Sequence, residues 1–319
     1  MKILVTGGAG FIGSNLVESL LKDEKISRVR VLDNLATGSK DNIEEFSSFP
    51  HFEFMQGDIR DYPTCLLACD GIDCISHQAA LGSVPRSIED PLTTNNVNIT
   101  GTLNIFTAAK EKKVKRIVYA ASSSTYGDHP GLPKQEDKIG KPLSPYAITK
   151  YVNELYADVF SNLYKIEVIG LRYFNVFGPK QNPKGPYAAV IPLFIKAFMD
   201  LQSPIINGNG ENSRDFTYVS NVVQANTLSL FTNNEAAINQ VYNIGYGRQT
   251  SLLQLAGYLK KISMSAVEPI HAPERRGDVK HSLADITKAK KLLGYDPKVS
   301  VEEGLERTFE WYRRWLGRG

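Results

Sequence analysis

The chain has 319 residues, 42% hydrophobic and 22% charged, which excludes a disordered, collagen-like or disulfide-dense protein and allows a substantial core. Against 34 Asp and Glu stand 37 Lys and Arg, a formal net charge of +3 that is too small for the cationic footprint of a nucleic-acid-binding protein. Length alone allows two domains or one large α/β domain with an appendage.

Lys2–Thr6 reads as a β-strand, and the break at Thr6-Gly7-Gly8 comes too early for a secretory signal. Ser14–Lys22 carries Leu16, Val17, Leu20 and Leu21 on one helical face, and Arg28–Leu32 reads as the next strand. The rhythm continues with strands at His51–Met55, Cys74–His77 and Arg116–Ala120, a helix at Asn98–Lys112, another from near Ser144, and a strand at Lys165–Tyr173. Such alternation predicts an α/β protein, a Rossmann-type doubly wound parallel sheet with helices on both faces. After Asn175 the pattern changes to a proline-rich loop at Pro179, Pro183 and Pro186 and to turns such as Asn207-Gly208-Asn209-Gly210. We therefore expect a boundary near Phe174: a Rossmann domain over 1–174 and a smaller mixed α/β domain over 175–319, some segments of which return to the sheet. The last helix is expected to be capped by Ser300, with Glu303 completing a capping box, and to carry Leu305, Phe309, Tyr312 and Leu316 on one stripe. Trp311, Tyr312 and Trp315 cover either the core or another subunit.

Cys65, Cys69 and Cys74 fall within ten residues, cannot all pair with one another, and match no zinc spacing. They read as small buried hydrophobes of a reducing compartment, and no apolar run approaches the length of a membrane span. The expectation is a cytoplasmic protein with no membrane, nucleic-acid or metal partner. His77, His129 and His281 read as structural, for no metal-ligating residues converge on them in sequence.

Gly7-Gly8-Ala9-Gly10-Phe11-Ile12-Gly13 stands where the first strand turns into the first helix. Small residues there bring backbone close to a pyrophosphate and aim helix N–H groups at it; a plain tight turn is the simpler use. Asp33 follows Gly13 by 20 positions, at the end of the second strand. A carboxylate there accepts from both ribose hydroxyls of a dinucleotide and repels a 2′-phosphate, which favours NAD over NADP. Asn34 beside it, and Asp58 and Ile59 after the third strand, complete the cofactor set; Asp58 either accepts from the adenine amino group or caps a turn.

Tyr146 and Lys150 lie four apart in a helical pattern and project from one face. An ammonium near a phenol favours its ionised form and makes it a better general base; an exposed helix pair is the alternative. Upstream, Ser122, Ser123 and Ser124 follow a strand at the end where open α/β sheets bind ligands. One of these hydroxyls holds a reacting oxygen, while strand-end capping and turn bonding account for at least one of the three.

The glycine motif, Asp33, Asp58, the serine run, the Tyr146/Lys150 pair and Leu171–Pro179 resemble the extended short-chain dehydrogenase/reductases across essentially the whole chain. Within them the similarity is to the UDP-hexose 4-epimerases, and Ala80–Ser87 and Ser122–Pro130 resemble more narrowly the bacterial UDP-N-acetylglucosamine 4-epimerases. The resemblance implies that Tyr146 takes the proton of the sugar 4-hydroxyl while C4 passes hydride to the nicotinamide. Lys150 then holds the ribose and lowers the tyrosine pKa, and the 4-keto sugar swings over and takes the hydride back. Ser122 matches the family's catalytic serine or threonine, with Ser123 and Ser124 as substitutes.

The resemblance also implies substrate contacts. Asn175 meets the diphosphate, Ala189 and Val190 the uridine side, and Arg214 and Arg275 the diphosphate as bidentate forks, with Asp278 near the uridine ribose. Each arginine read singly is more often a surface ion pair. Gly82, Ser83 and Arg86 fall beside the hexose. Ser282 stands where members restricted to plain hexoses carry a tyrosine, which implies room for an N-acetyl group: UDP-GlcNAc and UDP-GalNAc, with UDP-Glc and UDP-Gal also in range.

A homodimer through the helices around Asn98–Lys112 and Tyr146–Asn162 is implied as well. Dehydratases and decarboxylases of the same fold need carboxyl groups where this chain has Ser123 and Ser124. A UDP-hexuronic acid 4-epimerase, with Arg86 or a lysine on the carboxylate, and a non-catalytic NAD-binding regulator are the alternatives.

Overall fold

Strand β1 (Lys2–Thr6) lies in a seven-stranded parallel sheet of the computed structural model, which describes residues 1–183, 188–274 and 280–316. The other strands are β2 (Arg28–Asp33), β3 (Phe52–Gln56), β4 (Cys74–His77), β5 (Arg116–Ser122), β6 (Glu167–Tyr173) and β7 (Gln240–Ile244). Their order is β7-β6-β5-β4-β1-β2-β3. Ile3 and Val5 of β1 join the core on one face while Leu4 joins that on the other, the two-residue alternation of a strand covered on both sides. The strand order reverses between β1 and β4, which opens a crevice at their carboxyl ends. The expected Rossmann-type sheet is thus present.

The helices that cover it are α1 (Phe11–Leu21), α2 (Tyr62–Cys69), α3 (Val84–Glu89), α4 (Pro91–Asn95), α5 (Gly101–Glu111), α6 (Pro145–Tyr164), α7 (Val190–Met199) and α8 (Val219–Phe231). α1 packs on α8, while α2 packs on α5 and α6 lies on β5 and β6. α1 starts at Phe11 rather than Ser14 because the glycine turn is short and Gly10 already occupies the N-cap. A π turn at Asn96–Thr100 precedes α5. Ser144 caps α6 by accepting from Ala147 N–H at 3.1 Å, and Pro145 sits in its first turn, where no N–H is needed. Sequence periodicity missed β7, a segment after Asn175 that pairs with β6 and buries Tyr242 and Ile244.

A third core, built from Phe177, Ile191, Phe194, Phe198, Leu259 and Leu305, joins α7 to α9 (Leu252–Ser263) and α11 (Val301–Leu316); α10 (Thr287–Leu293) lies beside β7. Trp311 and Trp315 stack at 5.5 Å against this core, and Tyr312 is buried in it. Ser300 Oγ accepts from Glu303 N–H at 3.2 Å, but the Glu303 carboxylate pairs with Arg307 one turn on, which takes it away from the expected capping box. All three cysteines are free and buried, and burial pushes the Cys65 and Cys69 thiols up to about 12 and Cys74 to about 11, far from a reactive thiolate. No helix among the described residues is long and apolar enough to cross a membrane.

Candidate active site

A cleft of about 590 Å³ opens at the carboxyl ends of β1, β2, β4 and β5. Gly7, at φ +70°, and Gly13 form its floor. A Cβ on Gly7 would lie 2.6 Å from Ala79 N, and one on Gly13 2.1 Å from Gly7 O, so only glycine gives this turn. α1 has no side-chain cap at Gly10, which leaves its first N–H groups available to an anion. Asp33 is buried at the end of β2, where its oxygens accept from Ala9 N–H at 2.9 Å and Leu35 N–H at 2.8 Å. Each carboxylate oxygen keeps a lone pair for a ribose hydroxyl. Phe11, Ile12, Asn34, Asp58 and Ile59 also line the cleft. Arg60 forks onto both Asp58 oxygens at 3.0 and 2.7 Å and Asn34 donates at 2.9 Å, which holds that carboxyl at about 2. Asp58 is thus an anchored anion at the mouth of the cleft as well as an acceptor.

At the other end, β5 delivers Ser122 and α6 delivers Tyr146 and Lys150 to the same wall. Ser122 and Tyr146 share the cleft wall, and Ser122 Oγ accepts from Ser124 N–H at 3.1 Å and Ser124 Oγ–H at 2.8 Å. Of the three serines, Ser122 and Ser123 line the cleft, while Ser124 turns back to support Ser122. Lys150 is buried, with Nζ donating to Ala120 O at 2.8 Å and lying 6.0 Å from the Tyr146 ring centre.

Burial dominates both titrations. It pulls the Lys150 ammonium down to about 8 against the attraction of Glu154, and it raises the Tyr146 phenol while the Ser122 hydroxyl pulls the other way. This corrects the expected direction: the ammonium is directed at Ala120 O, and desolvation of the phenol wins.

Asn175 lines the cleft in a left-handed conformation, φ +28°, and Ser282 Oγ donates to Asn175 Oδ1 at 3.5 Å across 107 residues of sequence. Buried Asp215 ties that region together, accepting from the N–H groups of Tyr246, Gly247 and Ala284 at 2.8, 3.0 and 3.1 Å. Arg214 next to it donates to the Ser213 and Lys280 carbonyls, both at 3.0 Å. Gly82 and Ala189 line the cleft, whereas Ser83, Arg86 and Val190 are not part of its lining; Ser83 Oγ caps α3 through Arg86 N–H at 3.2 Å. Arg275 and Asp278 lie outside the described residues.

Residues 3–245 match the NAD dependent epimerase/dehydratase family. The chain belongs to that family. It is 37% identical to UDP-glucose 4-epimerase of Mycolicibacterium smegmatis over 98% of this chain and 99% of that one. It is 36% identical to UDP-glucuronate 4-epimerase of Thermodesulfobacterium geofontis over 97% and 95%. Its fold superposes with a TM-score of 0.93 on UDP-N-acetylglucosamine 4-epimerase of Methanobrevibacter ruminantium in complex with UDP-N-acetylmuramic acid, at 37% identity and 98% coverage of both chains.

NAD is the cofactor of this epimerase/dehydratase family, and the cleft fits it: a glycine cradle that any Cβ would fill, uncapped helix N–H groups beyond it, and a buried carboxylate at the end of the next strand, in the same lining. Sequence reasoning missed part of the wall. Tyr173 Oη donates to Gln78 Oε1 at 3.0 Å and accepts from Asn226 Nδ2 at 2.8 Å, while Gln78 Nε2 donates to Asn226 Oδ1 at 2.9 Å. This closed triangle fixes Gln78 and Tyr173 in the cleft, and its members come from three distant segments that no local spacing connects. His77 beneath it bridges Thr6 at 2.7 Å and Thr102 at 2.9 Å, and burial pulls it to about 3, so it is neutral.

Proposed function

We propose that the chain is a UDP-sugar 4-epimerase that interconverts UDP-GlcNAc and UDP-GalNAc, with UDP-Glc and UDP-Gal as further substrates. The observation that carries the chemistry is that Tyr146, Ser122 and Lys150 share the wall of one cleft whose other end is the glycine cradle and Asp33. NAD held by the glycine turn, Asp33 and Asp58 would supply the hydride acceptor and donor for C4. Tyr146 acts in its ionised form: the phenolate Oη takes the 4-hydroxyl proton and gives it back on return, within reach of the 10²–10⁴-fold that a positioned acid–base group contributes. Ser122 Oγ–H holds the same sugar oxygen, and Ser124 fixes Ser122 for that task. Lys150 provides positive charge under the phenol and a donor toward the cofactor ribose.

Inversion requires the sugar to present its other face while the diphosphate stays held. We assign that hold to Asn175 and Arg214, with Arg275 and Asp278 as further nucleotide contacts, Ala189 and Val190 beside the uridine, and Gly82, Ser83 and Arg86 near the hexose. The 1–174 segment thus carries the cofactor and 175–319 most of the nucleotide contacts. The N-acetyl preference is supported by Ser282, whose small side chain reaches Asn175 where a tyrosine would fill the space.

The test is to incubate the purified protein with UDP-GlcNAc, without added nucleotide, beside parallel samples of UDP-Glc and UDP-glucuronic acid. UDP-GalNAc is expected as product, with a C4 isotope label retained. Turnover of the uronic acid alone would assign the chain to the hexuronic acid epimerases instead, and loss of the label to solvent would remove the hydride scheme.

We also propose a homodimer through α6, which exposes Ile148, Leu155, Val159 and Leu163, together with Ile88 of α3 and Leu92 of α4. Light scattering on a Leu155→Glu/Val159→Glu variant is expected to show a monomer where the unaltered protein is a dimer.

A further inference from the structure

α6 carries a third functional-looking side chain that the reaction scheme does not use. Tyr146, Lys150 and Glu154 succeed one another at intervals of four residues, and Glu154 is buried. Arg172 of β6 forks onto it, Nε to Oε1 at 2.9 Å and an Nη to Oε2 at 2.7 Å, both side chains less than a tenth exposed. Such a pair is a weak source of stability, because an apolar pair of the same volume commonly does as well. Its presence one turn from Lys150 calls for another explanation.

The surroundings supply one. Lys150 lies among buried groups, and His77 of β4 and Tyr146 of its own helix are both neutral. Among the described residues, Glu154 is the carboxylate whose charge acts on Lys150. Glu154 itself faces Arg172 from β6, the Tyr119 phenol from β5, and Thr125 from the turn after β5, whose Oγ1 donates to Oε1 at 3.5 Å; Asp158, one turn further along α6, also acts on Tyr119. Arg172 is fixed in turn: its guanidinium lies 4.8 Å over the Tyr126 ring and an Nη donates to Glu136 O at 2.9 Å. None of Glu154, Arg172 and Thr125 lines the cleft.

We propose that Glu154, locked by Arg172, is a positioning residue of the reaction: it supplies the negative charge that keeps the Lys150 ammonium in place behind Tyr146, without touching substrate or cofactor. This rests on the role given to Lys150 above.

The experiment follows Lys150 directly, by NMR of Nζ in lysine-labelled protein, with Lys150→Met used for assignment. In Glu154→Gln the Lys150 midpoint is expected to fall by about one pH unit, and in Glu154→Asp to recover at least half of that. The alkaline limb of kcat is expected to fall with it, KM staying within about twofold. An unmoved midpoint in folded Glu154→Gln overturns the proposal. If that variant does not fold, Glu154→Gln/Arg172→Met removes both charges at once; a smaller fall in the same direction is expected there, because the loss of the Arg172 cation offsets part of it, and an unmoved midpoint is equally fatal. A fallen midpoint with an unmoved alkaline limb overturns the part played by Lys150 in the reaction, and that of Glu154 with it. A fallen midpoint in a protein that epimerises no UDP-sugar overturns the proposed function while supporting the Glu154–Lys150 coupling.

Discussion

Replacing Lys150 with Met is expected to make the protein more stable and nearly inactive. Burial lowers the ammonium from its ordinary 10.5 to about 8, which means that the charged form costs the fold about 3 kcal/mol. Met removes the charge but also the hydrogen bond to Ala120 O, worth about 1 kcal/mol, which leaves a net gain of about 2 kcal/mol at pH 7. The sign follows from proton binding. Between pH 8 and 10.5 the unfolded chain holds the Lys150 proton and the folded chain does not, so this group makes the unaltered protein more stable as pH rises. The gap between the two proteins therefore narrows through that window and, above about 10.5, reverses to the value of the lost hydrogen bond.

Urea unfolding of both proteins at pH 7 and 10.5, freed of NAD, measures it, because a ligand that binds only the folded form adds stability of its own. The difference between the proteins is the useful quantity: the raised thiols of Cys65 and Cys69 titrate in the same alkaline range and cancel. A Met variant less stable than its parent at pH 7, or a gap independent of pH, refutes the reasoning.

Tyr146→Phe is expected to lose at least about a hundredfold in kcat while keeping bound NAD, measured by product formation and by absorbance of the released coenzyme. Ser282→Tyr is expected to shift the ratio of kcat/KM for UDP-GlcNAc over UDP-Glc by at least about tenfold toward the plain hexose; an equal loss on both sugars counts against the N-acetyl assignment. Gly13→Ala sets a Cβ 2.1 Å from Gly7 O, a backbone atom that cannot swing aside, so a destabilisation of about 1–3 kcal/mol and weaker coenzyme binding are expected by thermal melts and NADH fluorescence titration.

The parts of the fold that are legible in sequence are those whose burial is set locally. Cys74–His77 reads as a strand from four residues because a central parallel strand is apolar or small on both faces, and the structure buries all four. Gln240–Ile244 carries two polar residues in five, and its partner is β6, about seventy residues earlier. Its place in the sheet is decided by tertiary pairing, for which the chain offers no period to read. The Asn96–Thr100 turn is hidden for a related reason: a π turn keeps the helical period nearly intact while adding a residue.

In the site, the same division separates backbone geometry from proton chemistry. Gly7, Gly13 and Asp33 are legible because a tight turn and a strand end constrain residue type at fixed spacing. Three consecutive serines are chemically alike, and only the path of the chain ranks them: β5 carries Ser122 to the wall in extended conformation, and the 3₁₀ turn Ser123–Tyr126 then folds the Ser124 hydroxyl back onto it. The four-residue spacing of Tyr146 and Lys150 places the two side chains on one face but says nothing of how dry that face is. An exposed pair would leave the phenol lowered by its cation. The buried pair raises the phenol and lowers the amine, so each group is driven toward its neutral form and the carboxylate of Glu154 becomes the counterweight. Depth of burial, which spacing does not encode, thus decides the resting proton inventory of this site.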